Sequence, residues 1–320
     1  MKLLLVFLFL SLDSIAQPSF AQPYPSRLVR MIISFPPGGA LDVVGRPVAQ
    51  KLSETLKQPV VVENRGGAGG TIGSEYVAKQ PPDGHTILLT AGTSHGTGSS
   101  FYANLPYDPL RDFAAIAAAV EVVVALAAHP SFPPASVKEL LEYAKANPGK
   151  LSYGSSGIGS PMHLAGELLR EAAQVDIEHV PYKGAGPAIT DLIGGQIPLA
   201  FVSLASVMGH VKSGKLRAMA VVEAQRYKGM PEVPTIKETV PSYDMFTSWL
   251  GFFAPAGTAR EIVFRLNREI NRALADPDLA AKLEASALVR LETTPEQFTE
   301  MVKKELELGA RFAKMLGVKP

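Results

Sequence analysis

The chain has 320 residues, 47% of them hydrophobic and 19% charged, and its 31 basic and 30 acidic side chains leave a formal net charge of +1. That balance supplies no positive field to attract nucleic acid or an anionic membrane, and so apolar a chain can bury a sizeable core, which excludes disorder. The absence of Cys removes disulfides, thiolate metal sites, thiol catalysis and a lipid-anchored N-terminal Cys together.

The first element is a leader. Met1-Lys2 precedes an apolar run from Leu3 to Leu12, and small-x-small sites end at Ala16 and Ala21, the pattern of a signal peptide. The run is about half the ~20 residues a spanning helix needs. Residues 1–21 are therefore expected to be a cleaved signal peptide and the rest, about 300 residues, to be exported to the periplasm as a two-lobed body.

Beyond the leader, short β-branched runs alternate with helix-length amphipathic stretches, the rhythm of βα units in an α/β fold with mainly parallel sheets. Strands are predicted at Val29–Ser34, Val60–Glu63, Thr86–Thr90, Leu151–Gly154, Ile177–Val180, Pro198–Val202, Leu216–Val222 and Ser248–Phe253. Leu41, Val44, Val48, Leu52 and Leu56 recur at steps of three or four and line one face of the first helix. Thr294 to Gln297 forms a capping box that opens a last helix reaching about Leu316.

Two stretches interrupt the rhythm. Ala114 to Ala128 is too long and too uniformly apolar for one ordinary strand, and it reads as a crossover between lobes. Pro231, Pro234 and Pro241 mark a second break before Ser248–Phe253 carries the chain back. The expected lobes are residues 22–122 with 247–320, and residues 123–246, with a cleft between them and two hinge crossings.

Glycine-rich turns supply the candidate site. Phe35-Pro36-Pro37-Gly38-Gly39-Ala40-Leu41-Asp42 lies between a strand and a helix, where glycines let the backbone approach a ligand and free helix-start amides favour an anion. One such terminus contributes roughly 0.3–2 kcal/mol, too little for micromolar affinity, so a second loop is needed. Tyr153-Gly154-Ser155-Ser156-Gly157-Ile158-Gly159-Ser160 is placed alike in the other lobe and offers hydroxyls with its amides. Ligand-binding candidates are thus Phe35, Pro37, Gly38, Gly39, Ala40 and Asp42 facing Ser155, Ser156, Gly157 and Ser160, with Thr93 and Tyr182 beside them. The bland alternatives are a tight turn for the first loop and a flexible connector for the second. Gly38→Val or Gly157→Val is expected to abolish binding and leave the fold. His163 reads either as an orienting residue behind the second loop or as a packing histidine. Lys183 is a cleft cation or solvated surface, and Trp249 a hinge or core residue.

Other motifs carry less. Gly66 to Gly73 misses the dinucleotide fingerprint because Ile72 stands where G-x-G-x-x-G needs its last glycine, so no cofactor is expected. The six histidines include no H-E-x-x-H and no close pair, so no metal is expected either. Gly92-Thr93-Ser94-His95-Gly96 fits G-x-S-x-G, which makes a secreted serine hydrolase using Ser94 the alternative function, although Thr97-Gly98-Ser99-Ser100 is a poor start for the helix that an elbow requires.

Taken together, IISFPPGGALD (Ile32–Asp42), VVVENRGGAGGTIG (Val60–Gly73), LPYDPLRDF (Leu105–Phe113), GSSGIGSPMHL (Gly154–Leu164), VPYKG (Val180–Gly184) with DLIGGQ (Asp191–Gln196), GKLRAMA (Gly214–Ala220) and SWLGFFAPAG (Ser248–Gly257) resemble the Bug family, the tripartite-tricarboxylate-transporter receptors, across the mature chain. The resemblance implies a type II periplasmic-binding-protein-like fold and a non-enzymatic, monomeric receptor. Such a receptor would clamp a small organic acid through the loops at Phe35–Asp42 and Gly154–Ser160 and deliver it to tripartite transporter membrane subunits or a sensor. Ala40-Leu41 stands where the family usually has Pro-Thr or Gly-Thr, which removes a hydroxyl donor and points to a less polar acid. Gly98-Ser99 and Gly66 depart likewise from Asn-Pro and Pro.

Overall fold

The structure is a computed structural model that describes residues 24–102, 104–244 and 248–317. The expected signal peptide lies outside the described residues, as does position 247, where the second return between lobes was placed.

In chain order the sheet elements of the first half are β1 (Val29–Ile33), β2 (Val60–Asn64), β3 (Thr86–Ala91), β4 (Phe113–Val122) and β5 (Val124–Ala128), interleaved with α1 (Ala40–Leu56), α2 (Thr71–Ala78) and the short α3 (Gly92–His95). The second half adds α4 (Val137–Ala146), β6 (Ser152–Ser155), α5 (Pro161–Ala173), β7 (Glu178–Pro181), α6 (Ala185–Ile193), β8 (Leu199–Ser203), α7 (Leu204–Lys212), β9 (Arg217–Val221), α8 (Ile236–Thr239), β10 (Trp249–Pro255), α9 (Arg260–Leu274), α10 (Pro277–Ala285), β11 (Leu288–Arg290) and α11 (Pro295–Met315). The strands form two sheets, one ordered β11-β4-β10-β3-β1-β2 and the other β7-β6-β8-β5-β9. No described helix is long and apolar enough to cross a membrane.

Both sheets are mixed. In the first, β1 runs parallel to β2 and β3, while β10 is antiparallel to its neighbours β3 and β4 and β11 is antiparallel to β4. In the second, β6 is parallel to β7 and β8, and β5 is antiparallel to β8 and β9. The reversed strands β10 and β5 each lie next to a change of sheet along the chain. The segment Ala114–Ala128 is itself two strands: β4 pairs in the first sheet, Val123 alone intervenes, and β5 pairs in the second. Its uniform apolarity follows from burial on both faces, since all five residues of β5 are buried.

Helical faces are buried as their periodicity predicts. Leu41, Val44, Val48, Leu52 and Leu56 of α1 all enter one core with Leu266, Ile270 and Leu274 of α9. On the other face of that sheet Ile32, Leu88, Trp249 and Phe253 pack with Phe298 and Val302 of α11. Trp249 is a core residue, its ring edge-on to Phe298 at 4.9 Å. The far end of α11 belongs elsewhere: Phe312 sits in the core of the second sheet with Leu126, Tyr153 and Phe201. One helix therefore ties both sheets together. Its start carries the predicted capping box, Gln297 N donating to Thr294 Oγ1 at 3.2 Å and Thr294 N to Gln297 Oε1 at 2.9 Å, a device worth about 1 kcal/mol.

Candidate functional site

The parallel set β2, β1 and β3 places the three loops that follow these strands side by side at one sheet edge, the position where open α/β sheets bind ligands. The edge is tied by buried hydroxyls. Ser34 Oγ donates to Thr90 Oγ1 at 2.7 Å, and Thr90 Oγ1 lies 2.6 Å from Ser94 Oγ.

The first loop ends at an uncapped helix. Gly38 has φ +93, and Gly39, the N-cap of α1, has φ −92 and no side-chain cap. Among the described residues the amides of Gly39, Ala40 and Leu41 have no hydrogen-bond partner, and a Cβ placed on Gly38 or Gly39 would meet nothing within 4 Å. An anion can approach that N-terminus without obstruction. The Asp42 carboxylate faces its own loop: it accepts from Gly38 N at 3.0 Å, from Arg46 Nε at 2.7 Å and from Asn64 Nδ2 at 3.3 Å. Asn64 also donates to the Phe35 carbonyl at 3.0 Å, so Asp42 and Asn64 together set the shape of the turn. Leu41 points into the core at 7% exposure. Ala40 beside it is half-buried at the loop.

In the second sheet, the loop after β6 spends its hydroxyls on itself. Ser155 Oγ lies 2.7 Å from His179 Nε2 and accepts from Gly157 N at 3.1 Å. Ser160 Oγ donates to the Gly157 carbonyl at 2.7 Å and caps α5 by accepting from His163 N at 3.2 Å. Ser156 has only a long contact with the Met162 sulfur at 3.6 Å. Its hydroxyl and the amides of Ser156 and Ile158 are what the loop leaves open among the described residues. His163 accepts from Gly159 N through Nδ1 at 3.1 Å and stacks on His179 at 4.0 Å. Burial, with the Arg170 charge, holds His163 down at about 4, so this nitrogen stays an acceptor at neutral pH.

Tyr182 turns to its own lobe. Its hydroxyl donates to Asp191 Oδ2 at 2.7 Å, and burial with that carboxylate pushes the phenol up to about 12. Lys183 is exposed. The residues beyond it bring a second open helix start that the sequence reading passed over: Gly184, φ +109, is the uncapped N-cap of α6, and its N–H donates to the Ser156 carbonyl at 3.2 Å. The run Gly184-Ala185-Gly186-Pro187 was the available signal.

Aromatic residues of the segment after β3, also passed over, connect the loops. An ideal Cβ on Gly159 would lie 2.9 Å from the Phe101 ring, and Phe101 packs against the second sheet's core. The neighbouring Tyr102 hydroxyl occupies the side-chain space of Gly69, a Cβ on Gly70 would lie 2.9 Å from the Phe35 ring, and one on Gly66 2.7 Å from Pro36. A continuous surface therefore runs from the first loop through Gly66–Gly70, Tyr102 and Phe101 to Gly159. Neither binding loop contains a Lys or Arg. Apolar side chains stand exposed around it, Ile72 at 52% and Ile158 at 65%. A separate cavity of about 540 Å³ lies at the crossover, lined by Glu121, Glu223, Tyr227, Leu283 and Arg290, none of them in the two glycine-rich loops.

The serine-hydrolase alternative is overturned. Ser94 is fully buried, its hydroxyl held by Thr90 and by the Ala91 carbonyl at 3.2 Å, and although it lies 3.3 Å from His95 Nδ1, the pair is closed off from solvent, both residues being 0% exposed. His95 is sealed among Tyr107, Phe113 and Phe253, and burial drives it down to about 3. A nucleophile there meets no substrate. Thr93 beside it has a buried hydroxyl with no partner. No group of three His, Asp or Glu among the described residues is arranged to hold a metal.

Two sheets bearing glycine loops at matching strand ends, with the chain crossing between them, define a two-lobed solute-binding protein. The chain belongs to the tripartite tricarboxylate transporter receptor family, whose model matches residues 44–318. Protein BugT of Bordetella pertussis is 35% identical over 318 residues, covering 99% of this chain and 98% of BugT. Among solved structures, R. palustris Rpa4515 with adipate superposes with a TM-score of 0.80 at 34% identity, covering 93% of this chain and 99% of that one. MatC (Rpa3494) from Rhodopseudomonas palustris with bound malate gives 0.75 at 31% identity, covering 90% and 99%. Both findings agree with the resemblance read from the motifs, and with a receptor in place of a hydrolase.

Proposed function

We propose that this chain is a non-catalytic extracytoplasmic receptor that closes on a small carboxylic acid held mainly by backbone amides. The observation that carries the reading is the open, uncapped start of α1, where the amides of Gly39, Ala40 and Leu41 are unpartnered and no atom crowds the side-chain positions of Gly38 and Gly39. The opposing surface is supplied by Ser156, Ile158 and the start of α6. Residues 22–122 with 247–320 and residues 123–246 act as the two lobes, with Val123 at one crossing, except that the far end of α11 packs Leu308 and Phe312 on the second lobe. Exposed Ile72 and Ile158, and the lack of a cation in either binding loop, favour an acid with an apolar body, such as the adipate that one similar structure holds, over the hydroxyl-bearing malate that another holds. The leader at 1–21 directs export and is removed, which leaves a monomeric receptor. It delivers its acid to the membrane subunits of a tripartite transporter or to a sensor.

Thermal unfolding with a panel of mono-, di- and tricarboxylates tests this. A ligand at 100 times its Kd stabilises the folded state by about 2.7 kcal/mol, so adipate or a related acid raises Tm by several degrees. A panel in which no acid moves Tm would falsify the reading.

A further inference from the structure

The buried polar atoms that lack a hydrogen-bond partner are not scattered evenly. Thr93 Oγ1, His95 Nε2, Trp249 Nε1 and Glu305 Oε2 are four of the ten among the described residues, and all belong to the segment after β3 or to what packs behind it. Glu305 is the charged-type member, 1% exposed, on the inner face of α11. Its carboxyl fills the side-chain space of both Gly92 and Gly96, so that a Cβ on either would collide with it. One turn further along α11, Gly309 is crowded in return: a Cβ there would lie 2.6 Å from Thr97 Cα and 2.9 Å from Ser100 Oγ. Knob and notch interlock helix and segment along Gly92–Ser100. That same segment continues into Phe101 and Tyr102, which join the loops of the two lobes.

We propose that Glu305 is a positioning residue for ligand binding, its carboxyl seated on Gly92 and Gly96 so that α11 fixes the segment Gly92–Phe101 and, through Phe101, the contact with Gly159. The inference rests on the receptor reading for its ligand and on packing alone for the position of the segment. No cation faces this buried acid: Thr97 Oγ1 donates to Oε1 at 3.4 Å, and the Thr97 backbone and the Trp249 side chain also favour its charged form, too little to offset its burial. Burial pushes Glu305 up to about 8, opposed in part by Thr97 and Trp249. The other titratable group on the packed segment, His95, is held neutral by its own burial, and no charge on β4, β10 or α11 contributes to the shift. The unfolded chain ionises near the ordinary carboxylate value. The contribution of the seated acid is therefore full below that value and lost as pH rises through about 8.

The test combines hydrogen exchange across Gly92–Phe101 with titration of adipate and malate, on the wild type, Glu305→Gln and Glu305→Ala, at pH 6.5 and 9. In the wild type, protection of the segment relative to the intrinsic, base-catalysed exchange rate at each pH falls, and affinity falls, between the two pH values. Glu305→Gln, neutral at both, keeps the segment protected and its affinity flat, within about threefold of the wild type at pH 6.5, whereas Glu305→Ala loses about tenfold or more. If Glu305→Ala leaves both readouts unchanged, or Glu305→Gln retains the pH dependence, the assignment is wrong. If Glu305→Ala does not fold, the comparison of wild type with Glu305→Gln decides. If neither acid binds the wild type, the preference for these two acids fails, the receptor reading is decided by the wider panel, and exchange in the segment still decides whether Glu305 positions it.

Discussion

Gly39 is the residue at which binding and folding separate most cleanly. Its φ of −92 suits any side chain, and a Cβ there meets nothing within 4 Å. Gly39→Val should cost about 1 kcal/mol as a weakened cap and a few degrees of Tm, yet cover the open amides of α1 and reduce acid binding at least tenfold. Unchanged affinity would place the anion elsewhere. Gly38→Val and Gly157→Val are poorer probes than the sequence suggested, because φ values of +93 and +127 add backbone strain of roughly 1–3 kcal/mol. At position 157 the added Cβ would also press on the Tyr182 carbonyl at 3.1 Å. The glycine turns were legible because their placement between strand and helix depends on local sequence alone. What Ser155, Ser160, Asp42 and Tyr182 do was not, since each is engaged by a neighbour whose position only the folded loop determines. His95, His163 and His179 make a linked prediction: burial holds them at about 3, 4 and 4, against about 6.5 when unfolded. Their neutral forms contribute stability that is complete above 6.5 and lost as pH falls through about 4. Because the buried Glu223 and Glu305 act in the opposite sense as pH falls, the check is made in the double variant Glu223→Gln, Glu305→Gln: its Tm should drop across that window, and a constant Tm from pH 6.5 to 4 would contradict the burial of the histidines.

Elements were read best where periodicity had one cause. The stripe of α1 and the capping box of α11 are local patterns, and both occur as predicted. The eight predicted strands fall within about two residues of β1, β2, β3 and β6 to β10. The strand β11 was missed because three residues are too few to carry an alternation, and β4 and β5 merged because sheets buried on both faces lose the alternation that would divide them. At that junction Glu223, just after β9, accepts from Val124 N at 2.7 Å. Burial pushes it up to about 8, with Glu121 of β4 adding to the rise. A raised carboxylate stabilises the fold fully below its unfolded value and loses that contribution as pH rises through about 8. Glu223→Gln keeps the acceptor for Val124, so it should raise Tm relative to the wild type at pH 8.5 and leave it unchanged at pH 4. Equal Tm values at both would show that the carboxyl is not buried.

At the scale of the molecule, two cores are joined by the crossing at Val123 and by α11, which buries Phe298 in one and Phe312 in the other. The family and its receptor class were legible because the diagnostic motifs are contiguous in sequence. The connecting surface through Phe101 and Tyr102 was not, because it is assembled from both lobes. The central claim is that backbone amides at the start of α1 hold a small acid. Calorimetric titration measures it directly, on protein stripped of endogenous ligand by unfolding and refolding, with adipate, malate and a tricarboxylate added to the wild type and to Gly39→Val. The account predicts saturable one-to-one binding of at least one acid to the wild type and a loss of about tenfold or more in Gly39→Val. Absence of heat with every acid, or equal affinity in the two proteins, would contradict it.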